Sequence, residues 1–233
     1  MKSPLVLIGC RMLLDFYKDT CNQLDIPLLG FVDRYYYGNT QSVDGVECIG
    51  NDLDLLSNPT MFGDAKFMIA TAWDGNTRFE NLEHNGYHLR QEKIDLVTQA
   101  NLPLHTLIDP RAIISDNNDI GPGTYIGRLV NMRTNNKIGK HVFIHDNAII
   151  AHDVLIGDNS IIGINATIMG SVHIGENVYV GTSATIVNGK STKQPFITIG
   201  DNCKIHAGAL VQKDMEANTT ATFNGRFLRR SDI

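Results

Sequence analysis

No stretch of about 18 consecutive apolar residues occurs in this 233-residue chain, so no membrane span is expected. Positive charge is not in excess. There are 20 Lys and Arg against 25 Asp and Glu, a formal net charge of −5, which offers no polycationic face to nucleic acid. Cysteine is sparse: Cys10, Cys21, Cys48 and Cys203 lie far apart, with no Cys-x-x-Cys pair. They read as reduced thiols of a cytoplasmic protein, and not as a disulfide framework. The segment from Met1 to Gly9 has a single Lys before a short apolar run, too short for a secretory h-region.

Residues 1–103 alternate between strand and helix signals. Leu5-Val6-Leu7-Ile8-Gly9 is an apolar run ending in glycine, as expected of a buried parallel strand. Residues 11–24 place Leu13, Leu14, Tyr17, Cys21 and Leu24 at helical spacing. Leu28 to Asp33 reads as a second strand, Tyr37-Gly38-Asn39 as a turn, Val46 to Ile49 as a short edge strand and Lys66 to Thr71 as a further buried strand. Residues 77–99 are mostly helical in pattern, with a weak point at Asn85-Gly86. The β-α-β order predicts a small Rossmann-like parallel sheet.

From residue 104 the pattern changes. Ile108, Ile114, Ile120, Ile126, Met132, Ile138, Ile144, Ile150, Ile156, Ile162, Ile168, Ile174, Val180 and Ile186 form an unbroken six-residue series. Helices repeat at 3.6 and strands at 2, so period six belongs to a parallel β-helix. Position i+4 is usually small or β-branched, and i+1 is Gly in seven of the fourteen repeats. The glycines are expected to turn the chain with unusual φ. After Ile186 the series resumes at Ile199, Ile205 and Val211, shifted by one residue, so 188–196 should loop out. The β-helix is expected over 104–215, with five to six three-sided coils, and residues 216–233 are expected to form a cap. Long exposed flanks suggest closed symmetric association, a homotrimer being expected.

The frame of Ile156-Gly157-Asp158-Asn159-Ser160-Ile161 and Ile174-Gly175-Glu176-Asn177-Val178-Tyr179 resembles the left-handed β-helix acyltransferases. With a Rossmann-like domain in front, the layout resembles the bacterial nucleotide-amino-sugar N-acetyltransferases and their sialic-acid O-acetyltransferase relatives. Ala151-His152-Asp153-Val154-Leu155-Ile156-Gly157-Asp158 is similar to that family's catalytic His-acid stretch, and Ile205 to Asp214 to its closing coil. The resemblance implies the left-handed turn and acetyl-CoA as co-substrate. It also implies a role in polysaccharide synthesis. This chain departs from the pattern at Gly9-Cys10-Arg11-Met12, which has fewer glycines, and at His145, where relatives usually carry Asn. The familiar glycine-proline close is missing.

His152, at i+2, and Asp153, at i+3, should point outward. A neighbouring carboxylate orients an imidazole, whose ordinary pKa near 6.5 suits a base near neutrality. A surface His at a turn is the plain alternative. His145, at i+1, is assigned to acetyl-CoA or sugar contact, with a simple turn residue equally open. His141, His173 and His206 read as solvated. Gly170 falls where relatives place a backbone amide near the thioester carbonyl, and Ala207 and Gly208 where a stretch follows the pantetheine arm. Lys190, Lys193, Arg226, Arg229 and Arg230 are candidate phosphate contacts, or simply a solvated face. In the first domain Gly9, Cys10, Asp33, Arg34 and Asn76 (with Arg78) flank the expected crevice for a nucleotide-linked sugar. A dinucleotide fingerprint is missing, which argues against NAD. Histidine spacing argues against a zinc hydratase, and no metal is expected. Cys203, at a packing position, argues against an acyl-cysteine intermediate.

The expected activity is acetyl-CoA-dependent N-acetylation of a nucleotide-linked amino sugar by direct transfer, with His152 as general base. O-acetylation of a sugar hydroxyl and a non-catalytic sugar-nucleotide scaffold are the alternatives. No nucleic-acid or membrane partner is expected.

Overall fold

The computed structural model describes residues 2–11, 14–39, 41–71, 86–189 and 196–229. It divides into two compact units, 1–105 and 106–233.

Among the described residues, the first unit holds the strands β1 (Leu5–Arg11), β2 (Leu28–Val32), β3 (Ser42–Val43), β4 (Val46–Gly50) and β5 (Lys66–Thr71). The helices α1 (Leu14–Gln23), the short α2 (Asp54–Ser57) and α3 (Gly86–Gln99) accompany them. The sheet order is β3-β4-β2-β1-β5. β1 runs parallel to β2 and β5, and β2 runs parallel to β4. The central position of β1 explains its unbroken apolar run: Leu5, Val6, Leu7 and Ile8 are all fully buried. The expected edge strand is not at the edge. β3 pairs antiparallel with β4 through Asp44-Gly45, both at positive φ (50° and 69°), the chemistry of a two-residue primed hairpin turn. Residues 72–85 lie outside the described residues, so the expected helix over 77–99 is seen from Gly86 on.

In the second unit, strands of two or three residues recur every six residues, apart from the break after Ile186, and stack in three parallel sheets. The first face runs through Leu107–Ile108, Tyr125–Ile126, Phe143–Ile144, Ile161–Ile162, Tyr179–Val180 and Lys204–Ile205. The second contains Ile113–Ile114, Asn131–Met132, Ile149–Ile150, Thr167–Ile168, Thr185–Ile186 and Leu210–Val211. The third contains Asp119–Ile120, Lys137–Ile138, Leu155–Ile156, Val172–Ile174 and Ile197–Ile199. Phe143 pairs with Ile161, and Ile149 with Thr167, so three hexapeptides complete one coil. After the insertion, Ile174 pairs with Ile199 and the register resumes. These sheets and the hexapeptide repeat fit a left-handed β-helix. Beyond residue 215, Thr219–Ala221 extends the first face and Phe227–Arg229 returns antiparallel to it.

Both the i and the i+4 side chains fill the interior, as in Ile144 with Ala148 and Ile150 with Val154. Polar residues at i+4 are satisfied there. Ser160 Oγ donates to the Gly175 carbonyl and accepts from the Val178 N–H, each at 3.0 Å.

The corners correct one expectation. The chain turns at i+3, where Asn117, Asn135, Asn147, Asp153, Asn159, Asn165, Asn177 and Asn202 sit in the left-handed region, with φ of 57 to 64° except Asn177 at 56°. Asn and Asp tolerate that region better than other side chains. The i+1 glycines adopt no such φ. Their role is close stacking: a Cβ on Gly157 would lie 2.5 Å from the carbonyl carbon and oxygen of Gly175 in the next coil. Backbone cannot move aside as a flexible side chain would. Gly157→Ala should therefore cost about 1–3 kcal/mol of stability, the usual range for overpacking, read from urea unfolding.

Candidate functional site

Corner residues of successive coils stand in columns, each member one full turn of the β-helix beyond the last. One column, at the corner between the second and third faces, contains Thr134, His152, Gly170 and Asn188 at i+2. His152 Nδ1 lies 2.8 Å from Asp153 Oδ2, and both side chains are about half exposed (47% and 49%). Asp153 occupies the left-handed corner position at φ 57°, which carries its carboxylate back alongside the preceding imidazole. A carboxylate only accepts, so Nδ1 is the donor in this bond, and in the neutral imidazole that arrangement puts the lone pair on Nε2.

The other constraint on this ring comes from Gly170. A Cβ there would lie 2.6 Å from His152 Cε1 and 2.7 Å from Nε2. The imidazole rests across the bare Cα of Gly170, in space that any side chain at that position would occupy. Sequence and structure thus bring together His152, Asp153 and Gly170, three of the expected site residues.

The Gly170 N–H, expected to face a thioester carbonyl, donates instead to Asn188 Oδ1 at 2.9 Å. The Gly189 N–H in turn donates to the Gly170 carbonyl at 3.1 Å. Asn188 was not anticipated as part of the site. Its signal in the sequence was its place one coil beyond Gly170, at the last repeat before the insertion.

His145, Ala207 and Gly208 do not join this column. They lie at the preceding corner, between the first and second faces, with the width of the second face separating them from His152. His145 packs edge-on against Phe143, with centroids 4.4 Å apart, and Phe143 stacks on Tyr125 at 4.7 Å. Burial pushes the His145 imidazole down to about 4, although Asp146 pulls the other way. Ala207 is exposed, and Gly208 turns the corner at φ 68° beneath Phe223. Of the other histidines, His141 is buried and not solvated: its ring fills the space beside Gly123, where a Cβ would lie 2.7 Å from Nδ1. His173 stacks on Phe196 at 4.0 Å. His206 is part-exposed, with its pKa lowered by burial and by Lys204. Cys203 is buried among the interior aliphatics, and burial raises its thiol pKa, which disfavours a thiolate. Lys190, Lys193 and Arg230, like the side chain of Arg229, lie outside the described residues. Among the described residues no group of three or more His, Cys, Asp or Glu is arranged to hold a metal ion.

In the first unit, Gly9, Asp33 and Arg34 gather at the ends of β1 and β2. Gly9 has φ 87°, and a Cβ there would collide with Thr71 Oγ1 and lie 3.6 Å from Lys93 Cε. This glycine is required by internal packing. Asp33 is buried, with Oδ1 accepting from the Tyr35 N–H at 2.8 Å and Oδ2 3.7 Å from Lys93 Nζ. Lys93, fully buried, also pairs directly with Asp52, whose other oxygen accepts the Arg34 N–H at 2.7 Å. Burial opposes ionisation of Asp52, but Lys93 and Arg34 outweigh it and hold its carboxyl below the ordinary range. The Arg34 guanidinium is shared between Asp52 (3.4 Å) and Glu92 (3.5 Å). Lys93 and Asp52 were not foreseen, because a buried ion pair joining α3 to a strand end has no sequence spacing of its own. Asn76 and Arg78, and the side chain of Cys10, lie outside the described residues.

Residues 137–163 and 155–188 match the bacterial transferase hexapeptide model of six repeats, and residues 197–213 match the hexapeptide repeat of succinyl-transferase. The second unit carries the bacterial transferase hexapeptide repeat. No curated protein sequence matches the chain with significance. Among solved structures, the fold is similar to a mutant of perosamine N-acetyltransferase from Caulobacter crescentus in complex with CoA and GDP-perosamine, at TM-score 0.81 and 22% identity over 97% of both chains. WeeI from Acinetobacter baumannii AYE is similar at TM-score 0.80 and 22% identity, over 97% of this chain and 100% of that one. The acetyltransferase domain of PglB from Neisseria gonorrhoeae FA1090, in complex with acetyl coenzyme A, is similar at TM-score 0.78 and 22% identity, over 98% and 100%. These likenesses extend over both units. No helix among the described residues is long and apolar enough to cross a membrane.

The His145 environment gives a pH signature. Its folded value, about 4, lies below the ordinary 6.5, so the unfolded state binds the extra proton between the two. The stability it contributes is complete above about pH 6.5 and is lost as pH falls toward about 4. His145→Gln should remove that part of the acid sensitivity, up to about 3 kcal/mol, in unfolding measured across this window.

Proposed function

We propose that this chain is an acetyl-CoA-dependent N-acetyltransferase acting on the amino group of a nucleotide-linked amino sugar. The observation that carries the reading is the His152–Asp153 pair held against Gly170, with Nε2 as the free base. The sugar amine attacks the thioester carbonyl carbon, and the C=O π pair moves onto oxygen. His152 Nε2 takes the amine proton. Collapse of the tetrahedral intermediate breaks the C–S bond, and the proton on His152 passes to the departing thiolate. The products are the amide and free CoA. Asp153 fixes the tautomer and steadies the imidazolium. Similarity to structures with CoA and GDP-perosamine, or with acetyl coenzyme A, supports the donor and the class of acceptor.

The first unit is read as Rossmann-like and as the nucleotide-sugar holder, with Asp33 and Arg34 at its strand ends. Asp33 and Arg34 are already engaged within the unit, so a ligand there would meet a preorganised charged cluster. A cytoplasmic homotrimer completes the proposal. The outward side of the second face exposes Ile113 (63%), Ile149 (43%) and Leu210 (49%), apolar area that association would bury. His145, Ala207 and Gly208, one corner away from His152, belong in this proposal to the acetyl-CoA path, a cleft between neighbouring subunits. The same base would serve a sugar hydroxyl, so the acceptor panel includes both kinds.

The test is thiol release from acetyl-CoA against nucleotide sugars bearing free amines or only hydroxyls. His152→Ala should lose about 10²–10⁴ in kcat while unfolding as the wild type does. Near-normal turnover in that variant would remove His152 from the mechanism.

A further inference from the structure

The column that holds His152 also supplies an unassigned donor for the charge that develops on the acyl oxygen. The geometry points to the side-chain amide of Asn188 as the catalytic group that holds this oxygen, in place of the Gly170 backbone N–H. The inference rests on the acyl-transfer function proposed above.

The Gly170 N–H is committed to Asn188 Oδ1 at 2.9 Å. With Oδ1 fixed there and the Gly189 N–H on the Gly170 carbonyl, Asn188 is anchored at both its side chain and its adjoining backbone. The opposite end of the planar amide, the Nδ2 group with two donor hydrogens, is thereby directed away from Gly170. Asn188 is exposed, and among the described residues its side-chain bond is the one through Oδ1. His152, Gly170 and Asn188 stand on successive rungs, roughly 4.8 Å apart by strand spacing. The His152 ring reaches over Gly170 toward the Asn188 rung, so an acyl group attacked beside Nε2 would have its oxygen on the side where the Asn188 amide stands. Fixed side-chain amides are effective donors at such a place.

A second observation separates this role from a purely structural one. At three other corners the same backbone bond is made by aspartate. Asp146 Oδ1 accepts the Arg128 N–H at 2.9 Å, Asp158 Oδ1 the Lys140 N–H at 2.8 Å, and Asp201 Oδ1 the Glu176 N–H at 2.8 Å. A carboxylate is therefore sufficient to join two rungs in this fold. Asn188 does the same joining with one added capability, hydrogen-bond donation, in the column that carries the imidazole.

The step balances without a further reactant. The amine nitrogen forms a bond to the carbonyl carbon and the π pair moves to oxygen, where Asn188 Nδ2–H donates. When the C–S bond breaks, that pair returns to re-form C=O, and His152 delivers the amine proton to sulfur.

Asn188→Asp tests this directly, because the fold already uses aspartate for the backbone bond and the variant should unfold like the wild type. It replaces the donor with a negative oxygen. We expect kcat for thiol release to fall about 10²-fold, with the KM for acetyl-CoA changed less than about threefold. Asn188→Ala should fall less, because it releases the Gly170 N–H to serve the oxygen. Wild-type kcat in Asn188→Asp, or a loss in Asn188→Ala as large as in Asn188→Asp, overturns the inference. If His152→Ala abolishes turnover while Asn188→Asp keeps it, the proposed function stands and this inference falls. If the wild type releases no thiol with any acceptor, both fall.

Discussion

The second unit depends on one constraint: parallel strands stacked in register, one coil for every three hexapeptides. Hydrogen bonds between coils hold that register, as where the His145 N–H meets the Ile162 carbonyl at 2.9 Å. Once it is fixed, residues at the same place in successive coils become vertical neighbours. Small or aliphatic side chains must then repeat inside, and the corners must adopt the left-handed conformation. A side chain placed outside a corner meets its sequence neighbours and the residues one rung above and below it. The site follows from this. His152 is held by its sequence neighbour Asp153 on one side and by Gly170, one rung away, on the other. An imidazole on a flexible loop would spend conformational entropy on reaching the same pose.

Much of this was legible in the sequence. Period six gave the coil, and the offset of His152 within its hexapeptide gave its outward direction. The shift after Ile186 marked the insertion, whose residues 190–195 lie outside the described chain. What was not legible depended on partners a whole coil away. The i+1 glycines looked like turn residues, because spacing does not say which atoms approach across rungs. Gly157 faces the Gly175 backbone and turns nothing. His141 looked solvated at a corner, yet the bare Gly123 leaves room for its ring to sink in. The Asn188 side chain escaped notice because its partner is a backbone N–H, which has no letter in the sequence.

The first unit shows the same limit in another form. Its buried strands are readable from apolar runs, but the edge is set by the hairpin through Asp44-Gly45, which puts β3 and not β4 outermost. The Lys93–Asp52 pair joins residues far apart in the chain through a fold that periodicity alone does not specify. That pair, with Asp33 and Arg34, makes the strand ends a charged cluster whose ion pairs close within the unit, while the buried Arg34 Nε has no partner among the described residues. Charges already paired and oriented are suited to meeting a polar ligand without reorganising first.

We propose that acyl transfer takes place beside one imidazole on a glycine rung. A crystal structure of the full chain with bound CoA tests it most directly. The CoA sulfur is expected at the corner carrying His152, within hydrogen-bond reach of Nε2, with the ring still resting on Gly170. CoA bound with its sulfur at any other corner, or an imidazole swung away from Gly170 when CoA is present, would contradict it.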